Sequence, residues 1–198
     1  MNVAKFPLLF GLLFTTCRVF ATPDSSILIS VPDQKLVVVQ NGAPVAEYPI
    51  STSRYGVGDR FGSYATPIGW MQVAQKIGQG SPMGTVFKSR RPTGEVLRPN
   101  APGRDPIVTR IMWLRGLEST TRNAYARAIY IHGTPVENMI GRPASYGCVR
   151  MRSRDVAELF SRVDIGTRVN ISTVPLRRSL ATLASAPLPV GDAKLTSL

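Results

Sequence analysis

Hydrophobic positions in this chain fall mostly in short runs or alternations rather than at helical spacing. From Ile27 to Ser51 they read strand, turn, strand: KLVVVQ and APVAEYPIS flank Asn41-Gly42, a pair that tolerates the positive φ angles of a two-residue hairpin. Further short segments rich in Val, Ile and aromatics follow at IGWMQV, IVTRIMWLRG, AIYIHG and TRVNIST, each bounded by Gly or Pro signals. The pattern predicts a mainly β domain, a sandwich or barrel, rather than a doubly wound sheet. One segment keeps a helical period: SRDVAELFSRV, with Ser153 as N-cap and Val156, Leu159, Phe160 and Val163 on one stripe. A second, shorter helical turn is expected around Ser119 to Arg127.

Two regions break the pattern. Between Ala74 and Pro106 the chain turns rich in Gly, Pro and Arg, and a connection of that length reads as a loop flap on the substrate side. From Pro175 to Leu198 the sequence reads as a flexible tail. At the other end, Met1 to Ala21 has the charged start, apolar run and small final residue of a signal peptide. The expected organisation is a targeting segment over 1–21, one domain over 22–174 and a tail over 175–198. The protein is then exported to the periplasm or cell envelope, without stable membrane insertion.

Charge narrows the class of partner. The chain carries a formal net charge of +12, which becomes +10 once Lys5 and Arg18 leave with the signal peptide. The basic residues are scattered, without interleaved aromatics, and export argues against nucleic acid. An anionic polymer rich in carboxylates, such as bacterial cell wall, fits better.

The chain has two cysteines and a single histidine. Exported proteins use cysteines in pairs, but Cys17 lies in the targeting segment, so Cys148 is left without a disulfide partner. It fits either a small buried core residue or a thiol kept for its chemistry. An unperturbed thiol is only a few per cent thiolate near pH 7, so a cysteine nucleophile needs a base beside it. His132, at the end of the apolar run AIYI, is the one imidazole available, and a Cys148–His132 nucleophile–base pair is the economical reading. One histidine and one cysteine do not make a tetrahedral metal site, and neither a metal nor a cofactor is expected.

At these residues the chain resembles a known family. IYIHGTP, GRPASYGCVRM and DVAELFSRVDIGTRVNI are similar to the YkuD-type L,D-transpeptidase catalytic domain, whose signature joins a His-Gly strand end to Ser-x-Gly-Cys-x-Arg. ILISVPDQKLVVVQNG, PISTSRYG and ATPIGWMQV resemble its earlier strands. The resemblance implies a YkuD-like sandwich or barrel, with Cys148 as nucleophile, His132 as base and Gly133 fixing the imidazole tautomer through its carbonyl. It implies an oxyanion hole of backbone N–H groups at Tyr146, Gly147 and Cys148, and substrate orientation by Ser145 and Arg150. The implied substrates are peptidoglycan stem peptides: Cys148 releases terminal D-alanine and the acyl group passes to an amine on a second stem or a wall-linked protein. The same site with water as acceptor is a carboxypeptidase or crosslink-cleaving hydrolase, and a wall-binding module with a lapsed site is the third alternative. One position departs from the pattern: Tyr146 stands where many relatives carry His.

Overall fold

The computed structural model describes residues 25–185, and the expected signal peptide lies outside the described residues. Ten strands form one mixed sheet: β1 (Ser25–Ser30), β2 (Lys35–Gln40), β3 (Ala43–Pro49), β4 (Gly69–Ile77), β5 (Thr85–Lys88), β6 (Arg91–Val96), β7 (Ile107–Gly116), β8 (Tyr130–Gly133), β9 (Val149–Met151) and β10 (Arg168–Ser172). Two helices accompany them, α1 (Ser153–Arg162) and α2 (Leu176–Ser185). The main path runs β3-β2-β1-β10-β4-β7-β5-β6, and the sheet branches at β7, which also pairs with β8; β8 in turn pairs with β9 in parallel.

Strand alternation explains both faces. Ile27 and Ile29 of β1, Leu36 and Val38 of β2, and Met112 and Leu114 of β7 point into one core against Val156, Leu159 and Phe160 of α1 and Val163 just beyond its end. Each such buried side chain contributes about 1.5–3 kcal/mol, which is why the α1 stripe holds the helix in place. The intervening Leu28, Val37 and Val39 face the other way and are covered by Leu176 and Leu180 of α2. The uninterrupted apolar run of β2 therefore belongs to a strand buried on both sides.

Three expectations change. Ser153 is the first residue of α1 rather than its cap: Arg152 holds the cap position, the Ser153 N–H donates to Glu137 Oε1 at 2.8 Å, and its hydroxyl accepts from Thr109 Oγ1. The stretch from Ala74 to Pro106 is not one long loop, because β4 runs on to Ile77 and β5–β6 form a hairpin. Ser89 and Arg90, with φ of 50° and 67°, make its turn. Residues 176–185 of the expected tail are helical, since Leu176 and Leu180 bury against β1 and β2 and Asp33 Oδ2 accepts from the Leu176 N–H at 2.6 Å. The helical turn expected near Ser119 is a short 3-10 helix over Ser119–Thr121.

Candidate active site

The site is built on the β7–β8–β9 ladder. In the register, Ile131 lies opposite Val149 and His132 opposite Arg150, while Ile111 faces His132 and Trp113 faces Tyr130 across β7. Ile131, Val149 and Met151 point into the main core. Their neighbours Tyr130, His132, Cys148 and Arg150 therefore share the opposite face, as the two-residue period of paired strands requires. A bulge in β7 between Val108 and Ile111, centred on Thr109 at φ 71°, sets this register. The β5–β6 hairpin lies over the same face: Phe87 packs with Ile111 and Tyr130, and Arg90 reaches the Tyr130 hydroxyl at 3.2 Å and stacks 4.4 Å from the Trp113 ring centre.

His132 is buried, and its Nδ1 lies 2.8 Å from the carbonyl oxygen of Gly133. A carbonyl only accepts, so Nδ1 carries the proton and Nε2 keeps its lone pair in the neutral ring. Burial lowers the imidazole pKa to about 4 against the opposing pull of the Gly133 carbonyl and Asp105. Glycine at 133 is required by space: a Cβ there would lie 2.6 Å from the Val108 carbonyl oxygen.

Cys148 is the free thiol immediately before β9 and packs against Phe87, Ile111 and Tyr130. Its Sγ accepts from the Tyr130 N–H at 3.4 Å and donates to the Ala128 carbonyl at 3.5 Å. Burial raises its pKa to about 11, although the Tyr130 N–H and the charges of Arg127 and Arg150 favour the thiolate. Near pH 7 both groups are therefore neutral, and the arrangement suits a base that takes the thiol proton as attack occurs.

The preceding turn is held from inside. Ser145 is buried; its hydroxyl donates to the Cys148 carbonyl at 2.6 Å and accepts from the Gly147 N–H at 3.2 Å. Of the three backbone donors expected at an oxyanion position, the Gly147 N–H is thus engaged by the turn itself. Gly147 sits at φ 119°, a conformation that favours glycine. The Tyr146 side chain is 58 % exposed.

Arg150, expected to orient substrate, lies inside the fold. It is buried, forms an ion pair with Asp105, and donates to Ser51 Oγ at 3.2 Å. Asp105 also accepts from the Thr134 hydroxyl, so the guanidinium ties β9 to the segment before β7 and to the chain after β8. A second buried arginine went unread in the sequence: Arg127 donates to Asp59 Oδ1 and the Gly58 carbonyl, each at 3.0 Å, and to the Ala65 carbonyl at 2.7 Å. No local signal marks it, because its partners lie more than sixty residues earlier.

A fold and site of this kind define a class, and comparison with known proteins supplies the family. The model of the YkuD family, described as the L,D-transpeptidase catalytic domain, matches residues 24–171. The Escherichia coli K12 probable L,D-transpeptidase YcfS is 31% identical over 164 residues, covering 79% of this chain and 47% of the relative. The E. coli K12 probable L,D-transpeptidase YbiS is 28% identical over 162 residues with the same coverage. Among solved structures, the Ldtfm–avibactam carbamoyl enzyme aligns with a TM-score of 0.50 at 18% identity, over 77% of this chain and 50% of that one. This chain belongs to the YkuD L,D-transpeptidase catalytic-domain family. It spans about half the length of the curated relatives it matches.

Proposed function

We propose that the protein is an exported L,D-transpeptidase acting on peptidoglycan stem peptides through a thioester on Cys148. The observation that carries this reading is the placement of Cys148 on the same face of the β8–β9 pair as His132, whose ring is oriented by the Gly133 carbonyl. Cys148 Sγ leaves the Ala128 carbonyl, passes its proton to His132 Nε2 and attacks the carbonyl carbon of the third stem residue. Backbone N–H groups of Tyr146 and Cys148 receive the charge on oxygen. Collapse breaks the bond to terminal D-alanine, whose nitrogen takes the proton from His132, and leaves the thioester. An amine of a second stem or of a wall-linked protein then attacks, giving its proton to His132 and restoring the thiol. Water in that place yields a trimmed stem instead.

In this reading Ser145 shapes the turn and Arg150 positions β9, because the Ser145 hydroxyl and both terminal nitrogens of Arg150 are already committed within the protein. Their roles are then indirect rather than contacts with the substrate.

The test is incubation with tetrapeptide-bearing muropeptides, with the products resolved by mass. Crosslinked dimers and free D-alanine are expected from the wild type and neither from Cys148→Ala. Trimmed monomers alone would identify a hydrolase. Unchanged substrate together with no mass adduct from a carbapenem would overturn the enzymatic reading.

A further inference from the structure

Three tyrosines form a contiguous exposed cluster beside the nucleophile turn. Tyr55, Tyr64 and Tyr146 are 51%, 57% and 58% exposed, and their ring centres lie 5.5, 5.8 and 6.0 Å apart. Exposed rings in mutual contact are uncommon on a soluble surface without a binding role. These three are held by buried hydroxyls. Ser53 Oγ accepts from the Tyr55 N–H at 2.9 Å and donates to the Tyr64 carbonyl at 2.5 Å. Thr66 Oγ1 accepts from the Ser53 N–H and donates to the carbonyl of Gly147, the residue after Tyr146, each at 3.0 Å. Ser53 and Thr66 are themselves buried, so one internal pair of side chains fixes all three segments. Tyr64 is held at φ 54°, a left-handed conformation that is unfavourable for a bulky residue. Strain kept at an exposed aromatic points to a surface whose shape matters.

We propose that this cluster is a carbohydrate subsite that seats a pyranose ring of the glycan bearing the stem peptide. The proposal rests on the peptidoglycan reading above and extends it to the sugar. A pyranose offers an apolar C–H face and a rim of hydroxyls, and a tyrosine offers an apolar ring face and a hydroxyl in matching positions. Size favours a sugar over a protein partner. Three half-exposed aromatic rings present on the order of 300 Å², whereas a stable protein interface takes about 800 Å² from each partner. The Arg54 guanidinium lies 4.8 Å from the Tyr146 ring centre, donates through Nη2 to the Ala144 carbonyl at 3.3 Å and forms no ion pair among the described residues, so its other N–H groups sit at the edge of the cluster for a polar substituent of the sugar.

Two measurements test this. First, the full chain carrying Cys148→Ala is titrated with the tetramer of N-acetylglucosamine while its tyrosine ring resonances are followed. The chain has six tyrosines, so Tyr48, Tyr125 and Tyr130 serve as internal controls. Shifts confined to Tyr55, Tyr64 and Tyr146 are expected; none at these three, or equal shifts at all six, would overturn the subsite. Second, turnover of a disaccharide-tetrapeptide is compared with that of the free tetrapeptide. The wild type should favour the sugar-bearing donor by about tenfold, the equivalent of one good ring contact. Tyr55→Ala and Tyr64→Ala should bring that ratio toward one. A wild-type ratio of one, or a ratio unchanged in both variants, would overturn the proposal. If neither donor is consumed, the enzymatic reading fails and the titration alone decides the subsite. If a variant fails to fold, the titration and the wild-type ratio still decide.

Discussion

Arg127 and Asp59 form an ion pair at 3.0 Å with side chains only 6% and 8% exposed, and the same arginine holds the Ala65 carbonyl against which the Gly147 turn packs. The pair joins the 58–65 loop to the segment that leads into β8. Breaking a buried pair from one side leaves the other charge uncompensated, at a cost of about 3–5 kcal/mol. Arg127→Met should lose that much in urea unfolding. Asp59→Asn should lose less, because Asp59 also accepts from the Asn123 backbone, a bond an amide oxygen can keep.

The neutral resting state of the thiol predicts slow reaction with simple alkylating agents. With its pKa raised from 9.0 to about 11, Cys148 should react with iodoacetamide near pH 7 on the order of 100-fold more slowly than an unperturbed thiol. His132→Ala should change that alkylation little, yet should slow acylation by a stem-peptide donor by about two orders of magnitude or more. Paired rate measurements on the two proteins check both statements.

Stability should depend on pH through the same two groups. His132 has its folded pKa lowered from 6.5 to about 4, so the unfolded chain takes up the proton first as pH falls. Its contribution is full above pH 6.5 and is lost between 6.5 and 4. Cys148 has its folded pKa raised from 9.0 to about 11, so the unfolded chain loses the proton first, and stability falls across that interval. Each limb should slope by at most about 1.4 kcal/mol per pH unit. Urea unfolding across pH should show His132→Gln flattening the acid limb and Cys148→Ala the alkaline one, relative to wild type.

Substitution of the two site glycines should fail for different reasons. Gly133→Ala drives a Cβ to 2.6 Å from the Val108 carbonyl and should cost about 1–3 kcal/mol of stability, by forcing β7 and β8 apart. Gly147→Ala meets the Ala65 carbonyl at 3.3 Å and must hold φ at 119°, so the turn should rearrange and acylation of Cys148 should fall by more than stability does. Thermal melts and single-turnover acylation, run on both variants, separate the two effects.

A coupled pair tests the assignment of Arg150. If its guanidinium serves Asp105 and Ser51, Arg150→Met should destabilise by about 1–3 kcal/mol, less than for a fully buried pair because water reaches the Asp105 carboxylate, and adding Asp105→Asn should recover part of the loss. A substrate-binding arginine would instead lose turnover while keeping the melting temperature, and the second substitution would restore nothing.

Local chemistry explains what the sequence made legible. Asn41 and Gly42 adopt φ of 50° and 78°, as their pairing suggested, so the β2–β3 hairpin was readable. Ser89 and Arg90 adopt much the same angles without an Asn-Gly signal, and the β5–β6 hairpin was hidden inside an expected loop. The α1 stripe was readable because its period is local; α2 was not, because its capping carboxylate, Asp33, lies 143 residues away. The same division holds at the site. His132 and Cys148 stood out as the lone members of their residue types in the expected mature chain, whereas the Asp105 and Asp59 carboxylates are paired with arginines only by the fold.

The parallel pairing of β8 with β9 has a mechanical consequence. The residues proposed to exchange a proton sit on β8 and immediately before β9, and β8 is also flanked by β7. Their spacing is thus anchored by the sheet on one side and by the turn that enters β9 on the other, rather than being a property of two free loops. Amides of β8 should accordingly exchange with solvent only in the rare openings that dissolve the whole sheet. Adjustment to differing substrates then falls to the parts around this fixed pair: the Ser89–Arg90 hairpin tip on one side and the tyrosine-bearing loop on the other.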